Sequence, residues 1–215
     1  MDVAFPWPCR IVKCVPKLEG LRHEPFVNID GEPFARPTLN GFWTVEMEVH
    51  ARGLDQQRAL SGFVTAMSGH ATCTLPIPST WRALDGAGRR YSGLYGARSP
   101  QGFASPPFNG FTLISAARRR DSFIDIQKRP QARIQFGDHI SLGDRLHKVV
   151  GAAELDGNPD RVRLSLMPNL RAAYPAGTVV VVDQLRLTVQ MQTGDPVDPG
   201  RGLFKGTALR LVETF

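Results

Sequence analysis

Residues 42–50 read FWTVEMEVH, residues 54–69 read LDQQRALSGFVTAMSG and residues 71–77 read ATCTLPI, and the change of period between them decides the fold. In the first stretch Trp43, Val45, Met47 and Val49 alternate with Phe42, Thr44, Glu46, Glu48 and His50. A period of two sends one set to each face of a strand. Trp43 is the expected anchor of the buried face, because its ring brings the largest apolar area. From Leu54 the period changes. Leu60, Phe63, Val64 and Met67 stand at i, i+3, i+4 and i+7, which is one stripe of a helix. The stripe predicts an amphipathic helix over about 54–69. Asp55 suits the positive end of its dipole, and Gly69 marks its end. With ATCTLPI resuming strand character, the unit reads as a helix covering one face or end of an antiparallel sheet.

Outward from this unit the pattern is β. Upstream, residues 9–15 (CRIVKCV) suit a strand ending at Pro16, and Asp30-Gly31 is a turn between two arms holding Phe26, Val27, Ile29 and Phe34. Downstream, residues 122–127, 132–136, 145–150, 152–156, 161–167, 178–184, 185–191 and 208–214 are candidate strands. Asp156-Gly157-Asn158 is a turn, and the TVVVV run at 178–182 is apolar on both faces, as a central strand is. Short strands at this spacing predict a mainly β chain of sandwich or barrel-like sheets with one helix. The expected organisation is an N-terminal β-rich region with the helix and a long loop over 1–121 and an all-β region over 122–215, or one continuous domain; the resemblance described below implies that the N-terminal region forms a ring.

Between these parts lies a Gly- and Pro-rich stretch, 77–121. Loops of this length inside compact domains usually carry function. Tyr91, Tyr95, Phe103, Phe108 and Phe111 set it apart from disordered segments, which are poor in aromatics. A loop that orders against a neighbouring subunit fits better. The expected interface residues are Arg89, Arg90, Tyr91, Tyr95, Phe103 and Phe108, with the run Arg118, Arg119 and Arg120. Trp43, Leu60, Phe63, Val64 and Met67 are the expected structural anchors.

Composition narrows the function classes. The chain has 215 residues, 42% hydrophobic and 21% charged, with 17 Pro and 21 Gly. That describes a globular, turn-rich chain. No apolar run is long enough to span a membrane, and MDVAFPWPCR lacks the basic-then-apolar start of an export signal. A cytoplasmic fold with no membrane anchor is expected. The net charge of +6 is spread over the whole chain rather than clustered as in nucleic-acid binders. Cys9, Cys14 and Cys73 are an odd set. Cys9 and Cys14, five apart, point to opposite faces of a strand, and His70 beside Cys73 lacks matching ligands. No metal and no cofactor are expected. There is no phosphate-binding loop, GxSxG elbow or HExxH helix, and the histidines are isolated in sequence. No catalytic residue is assigned, and an enzyme is not expected.

Several short patterns carry a resemblance. Gly143-Asp144-Arg145-Leu146-His147-Lys148-Val149 follows the form GD-x-L-x-x-V. Met167-Pro168-Asn169-Leu170-Arg171 gives a P-x-LR step, and Gly177-Thr178-Val179 starts a hydrophobic strand. Earlier, Gly41-Phe42-Trp43 leads through a helix to a step from Gly69 to Pro76. Over residues 40–80 and 136–182 the chain resembles the minor and distal tail proteins of long-tailed phages of Gram-negative bacteria. It departs from them in the 77–121 insertion and after residue 190. The resemblance implies a structural virion protein at the tail tip, assembled in the host cytoplasm. It would form a ring, commonly a hexamer, between the tail tube protein and the hub or baseplate, with the tape measure protein as a further neighbour. The other class kept open is a carbohydrate- or nucleic-acid-binding β-barrel module.

Overall fold

The computed structural model describes residues 2–7, 9–21, 26–27, 33–34, 41–69, 71–77, 110–130, 132–192 and 204–214. Over the described residues the fold is mainly β, with one helix and two curled five-stranded antiparallel sheets.

The first sheet is built on β4 (Phe42–Arg52), the strand that the alternating pattern marks. It lies between β1 (Arg10–Glu19) and β12 (Phe204–Glu213), followed by β11 (Arg186–Met191) and β5 (Cys73–Pro76). Its partners hold it along most of its length, from Glu19↔Phe42 to Arg10↔His50 on one side and from Val212↔Thr44 to Phe204↔Arg52 on the other. Val45, Met47 and Val49 are buried, as are Leu187, Val189, Leu209 and Leu211 on the neighbouring strands. The opposite face is polar: Lys17 pairs with Glu46 at 2.5 Å and His50 with Glu48 at 3.0 Å. An antiparallel sheet with one packed and one wet face shows this alternation. β1 does not stop at Pro16 as expected but runs on to Glu19. It is the outer strand of the sheet, where the missing proline N–H is tolerated.

Helix α1 (Gly53–Ser68) follows β4 without a loop. The reversal is made at Gly53, whose φ is +76°. Gln56 Oε1 then accepts the Arg52 backbone N–H at 2.8 Å, closing the first turn. Gly53→Ala is expected to lower stability by roughly 1–2 kcal/mol, because a Cβ is strained in left-handed backbone even where space is open. Urea denaturation reads the loss. Leu60, Phe63, Val64 and Met67 face the sheet and are buried. The N-terminal segment crosses over the helix. Phe5 meets Phe63 edge-on at 5.7 Å, Cys9 Sγ donates to Gln56 O at 3.6 Å, and Val3 N donates to Thr72 O at 2.8 Å.

The second sheet runs β6 (Phe111–Leu113), β7 (Phe123–Lys128), β10 (Asn158–Met167), β9 (Arg145–Leu155), β8 (His139–Leu142). β9 and β10 form a hairpin whose turn residues Asp156 and Gly157 both have positive φ, 55° and 65°. That conformation matches the twist of the flanking strands. The valine run is not a central strand. Residues 178–181 form isolated bridges to both outer strands, with Val180 N donating to Phe111 O and Ser141 and Val181 exchanging two hydrogen bonds. The sheet thereby curls toward closure, and Val180 and Val182 point into its core beside Phe111, Ile126, Ile140 and Leu164.

Other expectations change in detail. The candidate strands 145–150 and 152–156 are one strand, β9. Residues 132–136 hold no strand; β8 follows instead, hidden in sequence by its four-residue length. Phe111, counted with the irregular stretch, is fully buried in β6. β2 (Phe26–Val27) and β3 (Pro33–Phe34) pair as two short arms, and the Asp30-Gly31 turn between them lies outside the described residues. The second sheet sits in sequence between β5 and β11. β11 and β12 therefore return to pair β5 and β4, and strands from both sides of residue 121/122 share the first sheet.

Candidate functional site

Two features stand out: a polar joint between the sheets and a pinned arginine turn beside it. The sheets have separate apolar cores, and among the described residues Leu146 is the buried side chain of the second sheet that packs into the first core. Polar contacts also cross the joint. Ser141 Oγ donates to Arg186 O at 3.2 Å and accepts from Arg186 N at 2.9 Å. Thr188 N donates to Asp144 O at 3.0 Å. Trp43, 2% exposed, donates from Nε1 to Leu146 O at 2.8 Å and meets the His139 ring edge-on at 5.5 Å.

At the centre is Glu213, fully buried near the end of β12. Its Oε2 accepts the Trp43 backbone N–H at 3.1 Å. Its Oε1 lies 3.9 Å from Arg145 Nη1 and 3.8 Å from Arg171 Nε. Arg145 also donates to the Thr214 carbonyl, and Arg171 to the Gly41 carbonyl. Burial raises the Glu213 carboxyl above its usual range, against the opposing pull of the Trp43 N–H, Arg171 and Arg145. His147 is fully buried and shares a hydrogen bond of 2.8 Å between Nδ1 and Pro168 O, which sets the proton on Nδ1. Among the described residues its Nε2 has no hydrogen-bond partner. Burial pushes His147 and His139 each down to about 4. Both rings are neutral at pH 7, and both are structural parts of the joint.

Arg118, Arg119 and Arg120 form an exposed turn on the second sheet. The turn is held rigidly from below. Arg118 N donates to Asp121 Oδ2 at 2.7 Å, Arg120 N to Leu170 O at 2.8 Å, and Asn169 Nδ2 to Arg120 O at 3.1 Å. Arg120 takes φ +74°. Arg119 lies close enough to Arg171 to oppose its charge. The fold thus gathers arginines that stand more than 50 positions apart in sequence.

Arg89, Arg90, Tyr91, Tyr95, Phe103 and Phe108 lie outside the described residues. The joint residues Arg145, His147, Arg171 and Glu213 went unmarked as a group, because their convergence is spatial. Burial pushes the Cys14 and Cys73 thiols up to about 12 and raises Cys9, so none is a ready thiolate at neutral pH. Among the described residues, no three of His, Cys, Asp and Glu are grouped as metal ligands, and no helix is long and apolar enough to cross a membrane. The chain matches no protein-family model and no curated protein.

Proposed function

We propose that this chain is a structural subunit of a phage tail tip, a distal ring protein that joins the tail tube to the hub or baseplate. The observation that carries the reading is the Arg118–Arg120 turn: three exposed guanidiniums held on a backbone pinned at both ends. Adjacent cations on a rigid turn repel one another unless carboxylates or solvent screen them. A neighbouring subunit supplies such carboxylates in a fixed geometry, and arginine forks suit that pairing. The two sheets, locked through the polar joint, form a block suited to repeated head-to-tail contacts that close by rotation. In this reading the ring is homo-oligomeric, commonly a hexamer, and sits in the virion after assembly in the host cytoplasm. Its neighbours are the tube, hub and tape measure proteins, and it catalyses nothing.

Replacing Arg118, Arg119 and Arg120 together with serine is expected to lower assembly at least tenfold in apparent affinity while the chain stays folded, since charge pairs at interfaces are worth on the order of 1.5 kcal/mol or more. Assembly of the native chain should weaken as salt rises, and the variant should be less salt-sensitive. An unchanged oligomer in the variant would remove the turn from the interface.

A second reading has one observation in its favour. On the outside of the second sheet Phe123 is 45% exposed, with Arg163 over its ring at 4.7 Å and Asp125 paired to that arginine at 2.7 and 2.9 Å. Exposed aromatics and arginines on a small barrel suit a glycan or single-strand binder. A stable monomer that binds either ligand would favour this alternative.

A further inference from the structure

The β9–β10 hairpin of the second sheet borders a groove of about 430 Å³, closed on its other side by residues 132–134. The apolar lining comes from Ile134, Ala152, Ala153, Pro159 and Val162. Ala152, Ala153 and Pro159 are exposed, so this lining meets solvent in the single chain. Of the charged residues around it, Lys128 is already paired, with Asp160 at 3.4 Å. The other two are Arg133, on the segment before β8, and Glu154, on β9. Both are exposed, and among the described residues neither side chain has an ion-pair partner.

The segment that supplies Arg133 and Ile134 runs directly into a pinned turn. Gln135 N donates to Asp138 Oδ2 at 2.8 Å and Asp138 N to Gln135 O at 3.1 Å. Gly137, at φ +93°, donates from N to Val149 O at 2.8 Å. The turn presents Phe136, at 76% the most exposed large apolar side chain among the described residues. A fixed turn that holds an aromatic ring out in water loses little freedom when the ring is captured, which suits an interface anchor.

A knob, a hole and two opposite charges on one patch fit a second copy of the same patch. In a two-fold contact, residue i of one copy meets residue j of the other, and the reverse holds as well. Each Phe136 then has a groove to enter. A cavity of about 150 Å³ already takes up a benzene ring, and this groove is larger. Each Arg133 finds a carboxylate and each Glu154 a guanidinium. A partner of uniform charge, such as a nucleic acid or an acidic peptide, would satisfy Arg133 and oppose Glu154.

We propose that this patch is a two-fold contact between two copies of the chain, with Phe136 of each seated in the groove of the other and Arg133 of each paired to Glu154 of the other.

The contact does not rest on the ring reading. It doubles whatever the Arg118–Arg120 turn assembles: n chains become 2n, with n the ring number, or one if that turn joins nothing. A single ring and a pair of rings are both closed oligomers.

The test reads the mass of the full chain by light scattering over a concentration series. Phe136→Ser, Arg133→Glu and Glu154→Arg should each halve the mass where the native chain is paired, weakening the pairing about tenfold or more. All three residues are exposed, so each variant should keep the native far-UV circular dichroism. Arg133→Glu leaves two acids at the groove and Glu154→Arg leaves two bases. Each variant therefore repels its own copy, yet the two attract each other. An equimolar mixture of them should regain the full mass, and the double variant Arg133→Glu/Glu154→Arg should regain it alone. Damage to the local fold would be repaired by neither. A mass that the three single variants leave unchanged would overturn the contact, as would a mixture that stays at the halved mass.

Discussion

Trp43→Ala is expected to lower the free energy of unfolding by roughly 3–5 kcal/mol, the range for removing a buried aromatic ring. The ring belongs to the first core, and its Nε1 reaches across to the Leu146 carbonyl of the second sheet. The substitution therefore opens a cavity and leaves a buried acceptor without its donor. Trp43→Phe separates the two effects. It keeps most of the apolar area and loses only the hydrogen bond, for about 1–3 kcal/mol. Urea denaturation with unchanged slope reads both values. A near-neutral Trp43→Ala would mean that the joint contributes little to the fold.

Glu213→Ala comes second, at about 3–5 kcal/mol if the pair behaves as a fully buried one. The loss leaves Arg145 and Arg171 facing each other without their carboxylate and removes the acceptor of the Trp43 N–H. Arg145 and Arg171 keep 22% and 16% side-chain exposure, so solvent screens part of the repulsion and the lower end of the range is expected. Glu213→Gln retains an oxygen for the Trp43 N–H and should cost less than alanine. The bond between the two positions uses the Trp43 backbone N–H, which alanine keeps, so Trp43→Ala leaves this bond in place while Glu213→Ala removes it.

Local features of the fold were readable from sequence where a single element carries its own pattern. The β4 alternation is visible because one face is packed and the other wet. The α1 stripe is visible because four apolar side chains recur at helical spacing against that face. The Asp156-Gly157 turn is visible because its positive φ values select those residue types. Tertiary decisions were not readable. The valine run has the composition of a buried strand, yet it serves as the segment joining two sheet edges, with alternate valines in the core. The return of β11 and β12 to the first sheet leaves no local mark, since a strand's sequence does not name its partner. Pro16 suggested an end to β1 because the rule against proline in strands applies to inner strands, and β1 is an outer one.

The same division holds for the candidate site. Arg118–Arg120 was legible as a run, and the structure adds the hydrogen bonds that make it a fixed surface. Glu213, Arg145, Arg171, His139 and His147 come from strands and a connecting segment spread over residues 139–213. Each reads alone as an ordinary polar residue; only the meeting of the two sheets turns them into one buried cluster.

A chain that closes into a ring has a mass fixed by the symmetry of that ring. The most direct measurement is the mass of the native full-length chain across a concentration series, by light scattering or native mass spectrometry, with particle images at the highest concentration. The expected result is a closed oligomer at an integral multiple of 23.7 kDa, commonly six, with rotational symmetry in the images and dissociation as salt rises. A chain that remains at 23.7 kDa at every concentration and ionic strength would contradict it.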